Sequence, residues 1–292
     1  MKYILALIYL VSSVLCNAEP LRIVVPFAPG GPNDQFARLL SSEIPGTVVE
    51  NIVGAGGLVG ASSVAKTTKT EQTVVLHSDA IMISAKMSPE QLYTFPQDFS
   101  CIAEIGETYL VLYKAKKTVF PPNNSNTLSV ADGGVGSTGN LTSTLIKRYL
   151  SMTLVSYRGA GPALNGFLAG DTDLLMEYSS PGVEYVQRGM IDIVAVTSAH
   201  RQKNLPAVPT MRELGYTDVV VQPTLFVYSN INMSLQQKSI LNQKINELMS
   251  STRIAAHLAR LNFKHTNYDL AQCNDKVNRI EKQWRDIVNS IK

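Results

Sequence analysis

Four times along the chain, a short Val/Ile-rich segment enters a glycine-rich turn that leads into a helix start. This recurrence limits the possible folds more than any other feature. The four stretches read "RIVVPFAPGGPNDQFARLL" (22–40), "NIVGAGGLVGASSVA" (51–65), "DGGVGSTGNLTSTLIKRYL" (132–150) and "YRGAGPALNGFL" (157–168). Strands alternating with helices in this way argue for an α/β chain with mostly parallel strands. In the first half, strands are expected at 21–25, 47–52 and 73–76. A second set follows near 128, with strands in "LSVADGG", "TLVSYRG", "DLLMEY" and "IDIVAVTS".

Two extended passages, near 108–114 and 219–228, sit where the chain would cross between the two sets. Lobe 1 is therefore expected to be discontinuous, residues 19–107 plus 224–292, and lobe 2 to span 108–223. The C-terminal helices are well signalled. Ser234 with Gln237 forms a capping box. Val277, Ile280, Trp284, Ile287 and Ile291 make one apolar stripe, which assigns Trp284 to packing.

The first 18 residues read as a secretory leader. Lys2 precedes an apolar run of 13 residues, Tyr3 to Leu15, and Cys16-Asn17-Ala18 offers a cleavage site. That run is too short to span a membrane. Acylation of Cys16 is the competing reading. Loss of residues 1–18 removes one lysine and no acid, which takes the formal charge from +3 to +2. So small and dispersed a charge gives no basis for nucleic-acid binding, and the run Lys114-Ala115-Lys116-Lys117 reads as a solvated edge. Two cysteines remain, Cys101 and Cys273, and pairing between them is left open by the sequence. The four histidines share no ligand spacing. No metal or other cofactor is expected.

The glycine turns carry the chemistry. Gly31 suits an N-cap and Pro32 the first helical position, with Asp34 at N3. The pair Gly161-Pro162 repeats that start. The first turn of a helix exposes N–H groups with no intrahelical acceptor, and the macrodipole favours an anion there. Helix starts at the carboxyl ends of strands can therefore hold an anion without Lys or Arg. A P-loop is excluded, because "GAGGLVGAS" lacks the Gly-Lys-Ser/Thr ending, and the same stretch only faintly echoes a dinucleotide fingerprint.

"VVPFAPGGPNDQFARLL", "VVENIVGAGGLVGASSVAK", "VSYRGAGPALNGFLAGDTDLLMEY" and "VAVTSAHRQKNLPAVPTMRELGY" together resemble the Bug family. These are the periplasmic solute receptors of tripartite tricarboxylate transporters. The likeness runs in order over nearly all of residues 20–260. It implies a two-lobed periplasmic-binding-protein fold (type II, Venus-flytrap) with a hinge, acting as a monomer in the periplasm. It also implies a small carboxylate ligand and membrane permease subunits as partners. By the same resemblance one ligand carboxylate meets Phe27, Gly30, Gly31, Ala55, Gly56 and Gly57. Asp34 and Ser78 take the places of the family's polar groups, and the second lobe contributes Ser137, Thr138, Gly139, Gly159 and Ala160.

The chain departs from the family at Asn51-Ile52-Val53, where the pattern has Asn-Arg-Pro. Its second-lobe loop is short and lacks a histidine. Glu177 replaces a common Asp, and reads either as a solvated strand end, the reading slightly favoured, or as a selectivity group. Asp34 has two compatible readings, support of the helix dipole or contact with a ligand amine or water. A receptor signalling to a sensor kinase is a related alternative. An exported hydrolase is disfavoured. His77-Ser78-Asp79 are consecutive residues and cannot face one another as a triad, and no Gly-x-Ser-x-Gly elbow occurs.

Overall fold

A computed structural model describes residues 20–69, 71–87, 91–122 and 126–291. The leader read at residues 1–18 lies outside this set. The first lobe begins β1 (Arg22–Val25), α1 (Pro32–Glu43), β2 (Val48–Asn51), a 3-10 turn (Ala55–Gly57), α2 (Leu58–Ala65), β3 (Thr73–Ser78), α3 (Ile81–Met87) and β4 (Phe99–Glu107). After a crossing come β5 (Leu110–Ala115), β6 (Leu128–Asp132), α4 (Thr138–Ile146), β7 (Met152–Ser156), α5 (Ala160–Ala169), β8 (Leu174–Tyr178), α6 (Ser179–Gln187) and β9 (Ile191–Val196). The chain returns through β10 (Thr224–Asn230) and ends in α7 (Leu235–Met249), α8 (Thr252–Arg260) and α9 (Leu270–Ile291).

These strands form two five-stranded sheets, ordered β2-β1-β3-β10-β4 and β7-β6-β8-β5-β9. The orders are the same once each crossing strand is recognised. In each sheet the strand that has just arrived from the other half inserts between the third and fourth strands. Both inserted strands run antiparallel to their neighbours, so the sheets are mixed, while the other four strands of each sheet share one direction, in line with the expectation of mostly parallel strands. Insertion of β10 and β5 buries them on both faces, and every residue of β10 is buried. A fully buried strand carries no period-two signal, which hides its direction in the sequence.

Several sequence readings shift. Of the extended passage 219–228, only the part from Thr224 onward is strand. At the crossing the two connections lie side by side, with Thr108 N–H donating to the Pro223 carbonyl at 2.9 Å. β4, which the sequence hid among Ser100, Glu104 and Gly106, is held from outside. It pairs with β10, and its buried Glu104 accepts from Lys276 of α9 at 2.8 Å. Cys101 of β4 and Cys273 of α9 form a disulfide. The helix begun at Ala160 starts two residues before the expected Gly161-Pro162. Its N-cap is Gly159, at φ 135°, a conformation closed to residues with a Cβ. Pro162 at N3 loses nothing, because N–H groups of a first turn have no helical acceptor. Leu141 and Leu145 are buried as expected, but α4 ends before Tyr149, which is 40% exposed.

The capping box at Ser234 and Gln237 is present. Val277 and Trp284 of the C-terminal stripe are buried and Ile280 is partly buried against the core. The side chains of Ile287 and Ile291 lie outside the described set.

Candidate functional site

The site is built from strand ends. After β1, Gly31 is extended and caps α1, with Pro32 as the first helical residue. Asp34 follows at N3. Its Oδ2 accepts from Gly30 N–H at 3.0 Å and Arg38 Nε at 2.9 Å, and its Oδ1 from Asn51 Nδ2 at 3.0 Å. Burial alone would raise its pKa, but these bonds outweigh burial and hold it below the ordinary carboxylate range. Asp34 is therefore an ionised brace whose bonds run back into its own lobe.

After β2, the turn passes through Ala55, Gly56 and Gly57, all at positive φ. Gly57 lies over His77: a Cβ there would stand 2.4 Å from His77 Nε2. Burial pushes the His77 pKa down to about 4, opposed by its bond to the Ser78 carbonyl, so the ring is neutral at physiological pH. Asp79 turns away and accepts from the Trp284 indole at 3.0 Å. The three consecutive residues are thus divided between separate contacts.

On the facing side, Ser137 caps α4 by accepting from Asn140 N–H at 3.2 Å. Asp132, at the end of β6, is saturated by Asn140 Nδ2, Ser156 Oγ and Gly134 N–H. The two sides meet at close range. Ser78 Oγ lies 3.0 Å from Thr138 Oγ1, and Ala28 N–H donates to the Arg158 carbonyl at 3.2 Å. Gly31 abuts Ala160, where an added Cβ would be 3.5 Å from the alanine methyl. Gly56 is pressed on Val135, where an added Cβ would lie 1.7 Å from the carbonyl oxygen.

Between these contacts lie two chambers. The inner one, of about 30 Å³, is walled by Phe27, Gly31, Asp34 and Ser78 from one side and by Ser137, Thr138, Gly139 and Ala160 from the other. The N-termini of α1, α4 and α5 all reach this wall, and among the described residues no Lys, Arg or His lines it. The outer chamber, of about 190 Å³, adjoins Ala55, Gly56 and Gly57, and Phe27 borders both. Gly30 and Gly159 line neither chamber. The N–H of Gly30 is taken by Asp34, and Gly159 packs on Ala28. A larger groove of about 610 Å³ runs along the crossing segments and α9, away from these helix starts.

The sequence favoured solvent for Glu177, and this is corrected. Glu177 is 3% exposed and stands in the inner wall beside Tyr178. Its Oε1 accepts from Tyr178 N–H at 2.9 Å. Burial, opposed by that bond and assisted by the charge of Asp132, raises its pKa to about 7. Tyr178, unmentioned in the sequence reading, stands buried in the same wall, where burial and the charges of Glu177 and Asp79 raise the pKa of its hydroxyl. Its place after Glu177 at a strand end was the available signal. Asn33 also reaches the wall, with its amide donating to the Leu76 carbonyl at 3.0 Å.

Comparison with known proteins places this geometry in context. The model of a family described as the tripartite tricarboxylate transporter family receptor matches residues 35–292. The protein BugT of Bordetella pertussis is 28% identical over 267 residues, covering 85% of this chain and 82% of BugT. A protein of Agrobacterium vitis is 31% identical over 217 residues, covering 69% of this chain and 63% of its own length. Among solved structures, the periplasmic binding protein BugD aligns with a TM-score of 0.85 at 24% identity, covering 94% of this chain and 98% of BugD. MatC of Rhodopseudomonas palustris with bound malate aligns at 0.86 and 24%, covering 94% of this chain and all of MatC. A second R. palustris protein, solved with adipate, aligns at 0.83 and 22%, covering 94% and 97%. These likenesses show a two-lobed binding-protein fold.

Proposed function

Because the chain belongs to the tripartite tricarboxylate transporter receptor family, we propose that it captures a small organic acid between its lobes and delivers it to a membrane permease. The observation that carries this reading is the inner wall. Three helix N-termini, drawn from both sheets, converge on a chamber that no basic side chain lines among the described residues. Main-chain donors and the helix dipoles stabilise a carboxylate there, each charge-assisted bond contributing about 1.5–3 kcal/mol. The malate bound to one structural neighbour and the adipate held by another support the ligand class.

The proposed rigid bodies are residues 19–107 with 224–292, and 108–223, turning about the paired crossings. The inner chamber, about 30 Å³, matches roughly one water's share of liquid volume. The lobes must part for an acid of several carbons to enter, and contacts to both lobes then favour closure. The proposed site of action is the periplasm, supported by the family and by the leader read in the sequence, and the proposed role is that of a monomeric carrier that does not turn its ligand over.

Thermal denaturation against mono-, di- and tricarboxylates tests this. A cognate acid raises Tm by mass action, adding about 2.7 kcal/mol of folding stability at a hundredfold excess over Kd, and is recovered chemically unchanged. No shift with any acid overturns the proposal, as does turnover of the one that binds.

A further inference from the structure

The wall that faces the glycine loops carries an acid whose second oxygen has no backbone donor. Glu177 Oε1 is taken by Tyr178 N–H. Oε2 lies 3.5 Å from the place a Cβ of Gly133 would occupy. The missing side chain at Gly133 leaves that oxygen facing the inner chamber, which both residues line. Behind it, Asp132 has its oxygens filled by Asn140, Ser156 and Gly134, so it presents charge but little bonding capacity. Across the chamber Asp34 is an ionised carboxylate held by Arg38, Gly30 and Asn51. Among the described residues no cationic side chain lines this space.

Such a wall treats the two ends of a ligand differently. At the helix starts, N–H groups welcome a carboxylate. At Glu177 a second carboxylate meets like charge, unless a proton is taken up. A ligand cation there does the opposite: it neutralises a buried carboxylate that otherwise lacks a cationic partner. We propose that Glu177 selects an amino-substituted carboxylic acid, pairing with the ligand's ammonium group while the helix N-termini hold its carboxylate. This rests on the receptor reading above and narrows its ligand class. The near-neutral pKa of Glu177, about 7, fits a group that is about half protonated at pH 7 in the closed, empty chamber and ionises fully when a cation arrives.

The test uses the exported, disulfide-bonded chain and isothermal titration calorimetry at pH 7. Probes are pairs that differ only by an ammonium group: aspartate and succinate, glutamate and glutarate, alanine and propionate. In at least one pair the amino acid is expected to bind about tenfold tighter or more, the gain of one charge-assisted hydrogen bond. Its heat should vary with buffer ionisation enthalpy as Glu177 releases a proton. Glu177→Gln should collapse the affinity ratio of that pair about tenfold or more, through weaker binding of the amino acid and, for a dicarboxylate partner, relief of the like charge it faced.

The proposal is overturned if the unsubstituted acids bind as tightly as their amino partners in the unmodified protein, a comparison that needs no variant to fold. It is also overturned if a folded Glu177→Gln leaves the pairwise ratio unchanged. Binding of unsubstituted acids alone would leave the receptor reading standing and remove only this assignment. Absence of heat from every acid removes both.

Discussion

The two sheets have the same strand order but turn different chemistry toward the cavity between them. The first lobe offers glycine backbone and one acid, Asp34, whose bonds point back into its own scaffold. The second offers Ser137, Thr138 and Glu177, of which Glu177 keeps an oxygen free for the chamber. The first lobe is also cross-linked, through Cys101 and Cys273, whereas the second lobe contains no cysteine. A shared scaffold thus separates two tasks. One side is held rigid to present main-chain donors, and the other carries the groups that can discriminate among ligands.

The largest effect that would sharpen this contrast is loss of the cross-link. Cys273→Ser should cost roughly 2–5 kcal/mol, since the bond closes a long loop. Calorimetry should show a lower Tm. Hydrogen exchange should quicken in β4 and α9 and stay unchanged in β6 and β8. Equal loosening of both lobes would break the comparison.

Next is the contact where the lobes press together. Gly56→Val places a side chain on the Val135 carbonyl and should weaken ligand binding about 100-fold, near 3 kcal/mol. Gly46→Val serves as the control. Gly46 also has positive φ, at 75°, but has nothing within 4 Å of an added Cβ, so it should lower stability without lowering affinity. Equal affinities in the two variants would show that closure does not bring Gly56 to Val135.

The acids on the two walls should respond to pH with opposite sign. Asp34 is held below its usual pKa. Its stabilisation is complete above the unfolded value, about 3.9, and is lost as pH falls through the folded value. Asp34→Ala should cost roughly 1–3 kcal/mol at pH 7 through its lost bonds, with little from the exposed Arg38 charge. Glu177, raised to about 7, acts in reverse. The folded state binds more protons than the unfolded one between about 4.3 and 7, so stability declines as pH rises through that window. Glu177→Gln should remove this decline, which amounts to at most about 3–4 kcal/mol, measured by denaturant titration from pH 4 to 8. A variant that tracks the unmodified protein at every pH would return Glu177 to solvent.

The smallest effect belongs to the hydroxyl bridge. Thr138→Val removes the bond to Ser78 Oγ and should reduce ligand affinity by roughly 0.5–1.5 kcal/mol, read by calorimetry. An unchanged affinity would mean that this bridge does not distinguish closed from open lobes.

Much of this was open to reading in the chain. Gly31-Pro32 announced α1 because a missing N–H at N1 forfeits nothing. The capping box at Ser234 announced α7 by local bonding alone. Phe27, Gly31, Asp34, Ser78, Ser137, Thr138, Gly139 and Ala160 were singled out before the fold and share one chamber. Ala55, Gly56 and Gly57 fall in the neighbouring one, and Gly30 and Gly159 in neither. What separated them was a contact between lobes, the pressing of Gly56 on Val135.

The sequence by itself determined the elements whose signals are local: strand ends, glycine turns, helix caps, and hence two α/β halves with helix starts able to receive an anion. Tertiary structure alone decided the antiparallel insertion of β5 and β10, the partners that hold β4, the joining of Cys101 to Cys273, and the burial of Glu177. Each of these depends on which distant segment arrives alongside. A carboxylate at a strand end is written identically whether water or the opposite lobe covers it, and only the covering sets its charge.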